Sequence, residues 1–236
     1  MSLASLNPSR KTNKVRQHGP MEFSDPPVDL DKVRQERLVR FRKKMAEHEV
    51  AGLLLFNQIN TRYATDATNM QIWCSHYETR CVFMSLEGPV VLFDYAHHPH
   101  LAEDLPTIDD YRVLPAFYFF GVGNRGEEFV LEFAAQISDL MNRYGGGNKR
   151  LAIDTLSHTG CDALRARGLE LVEGEQITET ARAIKSDDEL KLMQVSMNVC
   201  QEGMRAMQEH LEPGITENAL WSKPVSYTHL TLPTKA

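Results

Sequence analysis

The chain has 236 residues, of which 42% are hydrophobic and 25% are charged, an ordinary balance for one or two globular domains. Residues 1–20 carry four basic and no acidic side chains, so the rest of the chain is markedly acidic. We expect no nucleic-acid partner, because binding a nucleic acid requires a clustered basic surface. The longest apolar run, Val50 to Phe56, is far shorter than the ~20 residues of a membrane-spanning helix, so no membrane span is expected.

Cysteine use and the N-terminal sequence indicate the compartment. The four cysteines form no CxxC pair, which favours reduced thiols over a disulfide framework or a zinc site; they are Cys74, Cys81, Cys161 and Cys200. No apolar run follows the basic N-terminus, so it does not have the form of a secretory signal. We therefore expect a cytoplasmic location.

Both ends of the chain differ from the rest. Residues 1–27 are polar, basic and interrupted by four prolines, which predicts a flexible N-terminal arm. At the other end, Val225 to Thr234 reads as the in-frame translation of a sequencing adapter. We interpret residues 223–236 as a non-native tail and exclude them from fold prediction.

The first predicted elements are a helix and a strand. Asp29 or Asp31 can cap a helix that runs to about His48, and its apolar positions recur at helical spacing: Leu38, Phe41 and Met45. The opposite face is interpreted as a solvated surface because it is densely basic: Arg34, Arg37, Arg40, Arg42, Lys43 and Lys44. The apolar run from Ala51 to Phe56 then predicts a buried strand.

The segment from Asn57 to Glu78 is predicted as a loop, and it is rich in side chains that recognise ligands. In open α/β sheets ligands bind beyond the carboxyl ends of strands, so this loop is the candidate substrate-binding site. Its candidate substrate-binding residues are Tyr63, Asn69 and Trp73. The alternative is a structural loop whose two large aromatic side chains belong to the core.

The middle of the chain alternates strands with helices. Two β-rich runs flank Glu87 and Gly88, a two-residue hairpin signal. The later elements are a strand at 111–114, a helix at 127–144, a strand at 151–154, a helix at 157–167 and a strand at 169–172. This order predicts a three-layer α/β domain with a mixed sheet, in which the hairpin is the antiparallel part.

The clearest helical pattern follows Ser186. Ser186 and Glu189 have the spacing of a capping box, and Pro213 and Gly214 end the helix. Seven apolar residues recur every three or four positions on one stripe: Leu190, Met193, Met197, Cys200, Met204, Met207 and Leu211. Such a stripe needs a partner surface, either in a two-helix seam or in a coiled coil.

A search for catalytic motifs finds none in this sequence. HExxH, GxSxG and P-loop patterns are absent, so no catalytic residue and no metal ligand is assigned. His97, His98 and His100 lie close together, but no carboxylate or cysteine stands beside them at a ligand spacing. We interpret them as part of a solvated turn.

The run from Glu173 to Met193 contains Arg-x-Ile-Lys-Ser-x-x-Glu. It resembles the junction of the creatinase/prolidase/aminopeptidase P superfamily, where an N-terminal α/β domain meets a metal-dependent "pita-bread" domain. Two further runs, Arg62 to Trp73 and Gly145 to Asp154, resemble the dimethylsulfoniopropionate lyases of that superfamily. The resemblance implies a creatinase/prolidase N-terminal-like domain at residues 28–180. It also implies that residues 181–222 are a linker and the start of a truncated pita-bread catalytic domain.

The resemblance also implies a function. The intact protein would be a homodimer that binds a divalent metal (Fe, Mn or Zn) through two Asp, one His and two Glu, all in the second domain and none in this fragment. This chain would be the dimerising part that covers the substrate site. The substrate would be a small molecule, for a dimethylsulfoniopropionate lyase-like enzyme, or a peptide, for an Xaa-Pro peptidase-like hydrolase. The fragment alone would be inactive. The alternative is a non-catalytic binding domain of a pseudo-enzyme.

Overall fold

The computed structural model describes residues 27–68, 76–96 and 99–230, with side chains described as far as residue 224. The predicted N-terminal arm up to residue 26 lies outside the described residues. Two compact units are present, one of them Val28–Leu192, and the other continues the chain from Met193. No helix within the described ranges is both long and apolar enough to cross a bilayer.

The helices and strands of the described ranges follow in chain order. They are α1 (Leu30–Glu47), β1 (Gly52–Leu55), α2 (Gln58–Thr65), β2 (Cys81–Ser85), β3 (Val90–Asp94), β4 (Asp110–Val113), α3 (Phe119–Val122), α4 (Gly126–Tyr144), β5 (Arg150–Ile153), α5 (His158–Ala166), β6 (Glu170–Glu173), α6 (Glu175–Ala183), α7 (Asp187–His210) and α8 (Glu217–Leu230). Short 3₁₀ turns occur at Pro99–Leu101 and Gly123–Arg125.

The sheet has six strands in the order β4-β3-β2-β1-β5-β6. Strand β2 is antiparallel to both β1 and β3, and the other neighbouring strands are parallel. The mixed sheet predicted from the sequence is confirmed, and the hairpin of β2 and β3 supplies its antiparallel part as expected. Five strands therefore end at one edge of the sheet, the carboxyl edge, where β2 begins.

Helices cover both faces of the sheet, because successive side chains of a strand point to opposite sides. Leu54 of β1 packs with Phe133 and Ile137 of α4 on one face. Leu53 and Leu55 pack on the other face with core residues of α1 and α6, which include Phe41, Met45 and Ile177. The predicted three-layer α/β architecture is confirmed.

One predicted loop begins with a helix. Asn57 caps α2, because its side-chain oxygen accepts hydrogen bonds from the backbone amides of Ile59 and Asn60. The helix ends at Asp66, which adopts a left-handed conformation with φ of 63°. The prediction of a loop was wrong for Gln58–Thr65, since a polar segment of two turns has no apolar repeat long enough to indicate a helix.

The capping box predicted for α7 is confirmed. The amide of Ser186 donates to Glu189 Oε2 at 2.9 Å, and the amide of Glu189 donates to Ser186 Oγ at 3.3 Å. The helix ends at His210, close to the predicted stop. Much of its apolar stripe is exposed in the structure, with Met197 66% and Met204 67% accessible.

A buried ion pair joins two strands at the carboxyl edge. Arg80, before β2, donates from Nε to Oδ2 of Asp94 at the end of β3 at 2.8 Å, and its Nη2 lies 2.6 Å from the same oxygen. The two residues are only 4% and 1% exposed. Removing one partner from such a pair is costly, because the other charge stays buried without compensation.

We predict that Arg80→Met lowers the free energy of unfolding by about 3–5 kcal/mol, measured by urea-induced unfolding. Adding Asp94→Asn should recover part of this loss, because the unpaired charge is then gone. The matched control is Arg125→Met, whose partner Glu128 is exposed; it should cost less than about 1 kcal/mol. Equal losses for the two single variants would contradict the prediction.

We also predict a gradient of hydrogen exchange along α7. Amides of α7 beyond Leu192 should exchange faster than the amide of Leu151, which lies in the buried strand β5, since exposed helical segments open at lower free energy than core strands. Native-state exchange followed by mass spectrometry or NMR measures both. Equal protection of the two segments would show that this helix is anchored along its whole length.

Candidate functional site

The carboxylate of Glu189 holds the first turn of α7 against α1. Its Oε1 accepts from Arg37 Nε at 2.8 Å, and its Oε2 accepts from Arg40 Nη1 at 2.6 Å as well as from the capping-box amide. The Glu189 side chain is only 7% exposed. These contacts lie within the compact unit Val28–Leu192.

The protonation of Glu189 reflects these contacts. Burial acts to raise its pKa, but the hydrogen bonds from Arg40, the Ser186 amide and Arg37 outweigh burial, and the pKa lies below its ordinary value. A lowered pKa means that the carboxylate stabilises the fold above the pKa of an unfolded Glu, about 4.3, and that this contribution is lost as pH falls through the lower folded value.

Tyr63 of α2 belongs to the same group. Its hydroxyl accepts from Arg40 Nη1 at 2.9 Å and donates to the carbonyl oxygen of Ala181 at 3.3 Å. Its ring makes an edge contact with Phe41, and the guanidinium of Arg37 lies 4.8 Å from the ring centroid. Burial raises the pKa of this phenol, so it stays protonated and can donate. We call Arg37, Arg40, Tyr63 and Glu189 the Arg40 cluster.

The end of α2 has a second tie to α1. Arg34 donates to Asp66 Oδ2 from Nε at 2.9 Å and from Nη2 at 2.8 Å. The interpretation of the basic face of α1 as a solvated surface was wrong for Arg34, Arg37 and Arg40, because each is partly buried against an acidic partner. No local pattern of the sequence indicated these pairings, because an acidic first turn is common to many helices.

Asp154 organises the carboxyl edge of the sheet. One of its oxygens accepts from the amide of Phe56 at 2.8 Å, and the other accepts from the amide of Asn57 and from the side chain of Asn60. Burial raises the pKa of Asp154, and these hydrogen bonds oppose the rise. Both oxygens of the Asp154 carboxylate accept hydrogen bonds from donors of the same chain. The role of Asp154 is therefore to join the end of β1 to the start of α2.

A group of stacked aromatic side chains lies at the C-terminal end of the predicted loop. The ring of Tyr77 stacks with Tyr118 at a centroid distance of 4.8 Å and with Phe120 at 5.7 Å. The neighbouring Glu78 accepts a hydrogen bond from the amide of Ser157. No spacing rule in the sequence pairs Tyr77 with aromatic residues about 40 positions away.

The structure describes only part of the predicted substrate site. Tyr63 is described and belongs to the Arg40 cluster, whereas Asn69 and Trp73 lie outside the described residues, as do His97 and His98. Within residues 27–68, 76–96 and 99–230, no group of three or more His, Cys, Asp or Glu side chains could hold a metal ion. The described residues thus form structural polar clusters and do not fit a resident divalent metal.

Comparisons with known proteins place this geometry in a family. The Creatinase/Prolidase N-terminal domain family matches residues 37–184. The chain is 32% identical over 199 residues to "Dimethylsulfoniopropionate lyase DddP" of Roseovarius nubinhibens, covering 82% of this chain and 45% of that protein. It is 33% identical over 199 residues to the lyase of the same name from Roseobacter denitrificans, covering 82% and 44%. The chain thus spans less than half the length of these curated relatives.

Solved structures agree on the fold. The prolidase from Pyrococcus horikoshii superposes with a TM-score of 0.60 at 15% identity, covering 83% of this chain and 49% of that chain. The Xaa-Pro dipeptidase from Bacillus anthracis gives 0.59 at 18% identity, covering 84% and 49%. Similarity at this low identity shows the fold alone. The resemblance found in the sequence is confirmed, and since the family match spans more than half of its residues, this chain belongs to the Creatinase/Prolidase N-terminal domain family of the pita-bread superfamily.

Proposed function

We propose that this chain is the N-terminal part of a metal-dependent enzyme that cleaves dimethylsulfoniopropionate. The observation that carries the proposal is the identity of 32% and 33% over 199 residues to two dimethylsulfoniopropionate lyases. The peptidases of similar fold share only 15% and 18% of their residues with this chain. Sequence identity at this level reflects shared side chains and not only a shared fold.

The catalytic chemistry in this proposal belongs to a second domain. The described residues offer no convergent set of metal ligands, and the resemblance implies two Asp, one His and two Glu downstream of Glu217 for Fe, Mn or Zn. Oxygen-rich ligation of this kind suits a metal that polarises a substrate carboxylate. The part described here contributes binding and positioning, within a cytoplasmic homodimer.

Tyr63, Asn69 and Trp73 are proposed to serve the substrate site from this domain. The support is positional, because α2 follows the carboxyl end of β1, the usual location of ligand sites in open α/β sheets. An aromatic side chain also suits the sulfonium group of the substrate, since a cation is attracted to the face of a π-system. This suits Trp73, because indole is the best such face.

The second candidate is an Xaa-Pro hydrolase. The observation that favours it is the fold shared with the Xaa-Pro dipeptidase from Bacillus anthracis, with a TM-score of 0.59. The resemblance implies a divalent metal for both candidates, so the discrimination depends on the substrate and not on the cofactor.

We predict that the intact protein containing this reading frame encodes the five metal ligands and releases dimethyl sulfide from dimethylsulfoniopropionate. A chelator should abolish the release, and added Fe²⁺, Mn²⁺ or Zn²⁺ should restore it, because the metal carries the chemistry. This chain alone should release none. Gas chromatography of the headspace measures the product, with an Xaa-Pro dipeptide assay in parallel.

Cleavage of the dipeptide without release of dimethyl sulfide would show that the intact protein is a hydrolase and not a lyase. An intact protein that lacks the ligand set and both activities would be a binding domain of a pseudo-enzyme, and either result would overturn the proposed lyase.

A further prediction concerns Trp73. In the intact enzyme Trp73→Ala should raise KM or lower kcat/KM by about tenfold, since loss of a cation–π contact of 1–2 kcal/mol corresponds to roughly that factor. The urea midpoint should change little. Trp73→Phe keeps an aromatic face and should retain most of the activity. Unchanged kinetics in Trp73→Ala would remove this residue from the substrate site.

A further inference from the structure

We propose that Arg40 is a positioning residue that ties the C-terminal part of α2 to the first turn of α7, and that Tyr63 acts through this tie. One nitrogen atom of Arg40 contacts both helices. Nη1 of Arg40 donates to Tyr63 Oη at 2.9 Å and to Glu189 Oε2 at 2.6 Å. A displacement of either acceptor therefore changes the geometry of the bond to the other.

The surroundings make this tie stiff. Glu189 is buried, and its second oxygen is held by Arg37 Nε at 2.8 Å, so the carboxylate cannot rotate without breaking a charged hydrogen bond. Tyr63 is fixed by its hydrogen bond to the Ala181 carbonyl and by its contact with Phe41. Charge-assisted hydrogen bonds of this kind are about twice as strong as neutral ones and lose little to solvent when buried.

Arg40 also faces an acid of its own helix, since its Nη2 lies 3.9 Å from Glu36 Oε2, but its shorter contacts are those to α2 and α7. Arg37 and Arg40 bring two positive charges to one carboxylate, and the Tyr63 hydroxyl takes up a donor of Arg40 that Glu189 leaves available. Both bonds come from Nη1, whose two hydrogens are held in fixed directions by the planar guanidinium. A lysine at residue 40 keeps the charge, but its rotatable ammonium does not hold its donors in fixed directions.

Further contacts hold the end of α2 at Thr65 and its C-cap residue, Asp66. Arg34 of α1 holds Asp66 through two hydrogen bonds to one oxygen, and the Thr107 hydroxyl donates to the carbonyl of Thr65 at 2.6 Å. The C-terminal end of α2 is thus fixed by Arg34 of α1 and by Thr107, which precedes β4. Since α1 carries both this end and the first turn of α7, the two helices share one frame.

The consequence for catalysis rests on the proposed function. In the intact enzyme α7 is the first helix of the catalytic part, so the Arg40 cluster sets how this domain presents its substrate-binding residues. Of the three residues proposed to serve the substrate site, Tyr63 then affects turnover by holding α2, whereas Asn69 and Trp73 are the candidates for contact with the substrate. A positioning residue changes kcat more than substrate affinity, because a small misplacement is felt most in the transition state.

The first test is a double-mutant cycle on this chain, with Tyr63→Phe, Glu189→Gln and the double variant, measured as urea midpoints. Both single variants should lower the midpoint, and the double variant should lower it by clearly less than their sum, because each acceptor loses its value when Arg40 is no longer held by the other. The matched control is Tyr63→Phe with Glu128→Gln, whose partner Arg125 is exposed; this pair should be additive. Additivity in the Tyr63 and Glu189 cycle would overturn the tie.

The second test uses the intact enzyme and its release of dimethyl sulfide. Tyr63→Phe and Arg40→Lys should each lower kcat by about tenfold with KM changed less than twofold, and Glu128→Gln should leave both unchanged. A rise in KM with kcat unchanged would show that Tyr63 contacts the substrate directly and would overturn the positioning role. An intact protein without lyase activity would contradict the proposed function. The double-mutant cycle on this chain would still decide whether Arg40 ties α2 to α7.

Discussion

The buried carboxylate of Glu189 is the constraint on which the arrangement of this domain depends. An ionised carboxylate removed from water is tolerated only when it is paired and its oxygens accept hydrogen bonds. Here Arg37, Arg40 and the Ser186 amide meet that requirement together. They can do so only when α1, the linker after α6 and the start of α7 are in one fixed arrangement. Any other arrangement would leave the buried charge of Glu189 unpaired and is therefore disfavoured.

The sheet supplies the scaffold for this constraint. Leu53 and Leu55 of β1 pack against one helical layer, and Leu54 packs against the other. Asp154 fixes the point where β1 is followed by α2. The carboxyl edge is therefore organised by groups that satisfy one another, with no convergent metal ligands in the described ranges.

The features that could be predicted from the sequence are those that local residue patterns encode. Apolar strands, the hairpin and the capping box of Ser186 and Glu189 follow from residue type and spacing, and so did the mixed three-layer sheet. Helix α2 was missed because its stability comes from the Asn57 cap and from buried contacts rather than from an apolar repeat. The Arg40 cluster was missed because its members are up to 152 residues apart, and a basic helix face has the same appearance in a sequence whether it meets water or a buried acid.

The most direct measurement is hydrogen exchange at the amide of Leu190, which donates to the Ser186 carbonyl in the first turn of α7. If Glu189 fixes this turn, the wild-type amide exchanges slowly, and Glu189→Gln accelerates its exchange by about tenfold or more, a larger factor than at the amide of Leu151 in the buried strand β5. The same exchange rate at Leu190 in both proteins would show that the first turn of α7 is held by something other than the buried carboxylate, and the account would be wrong.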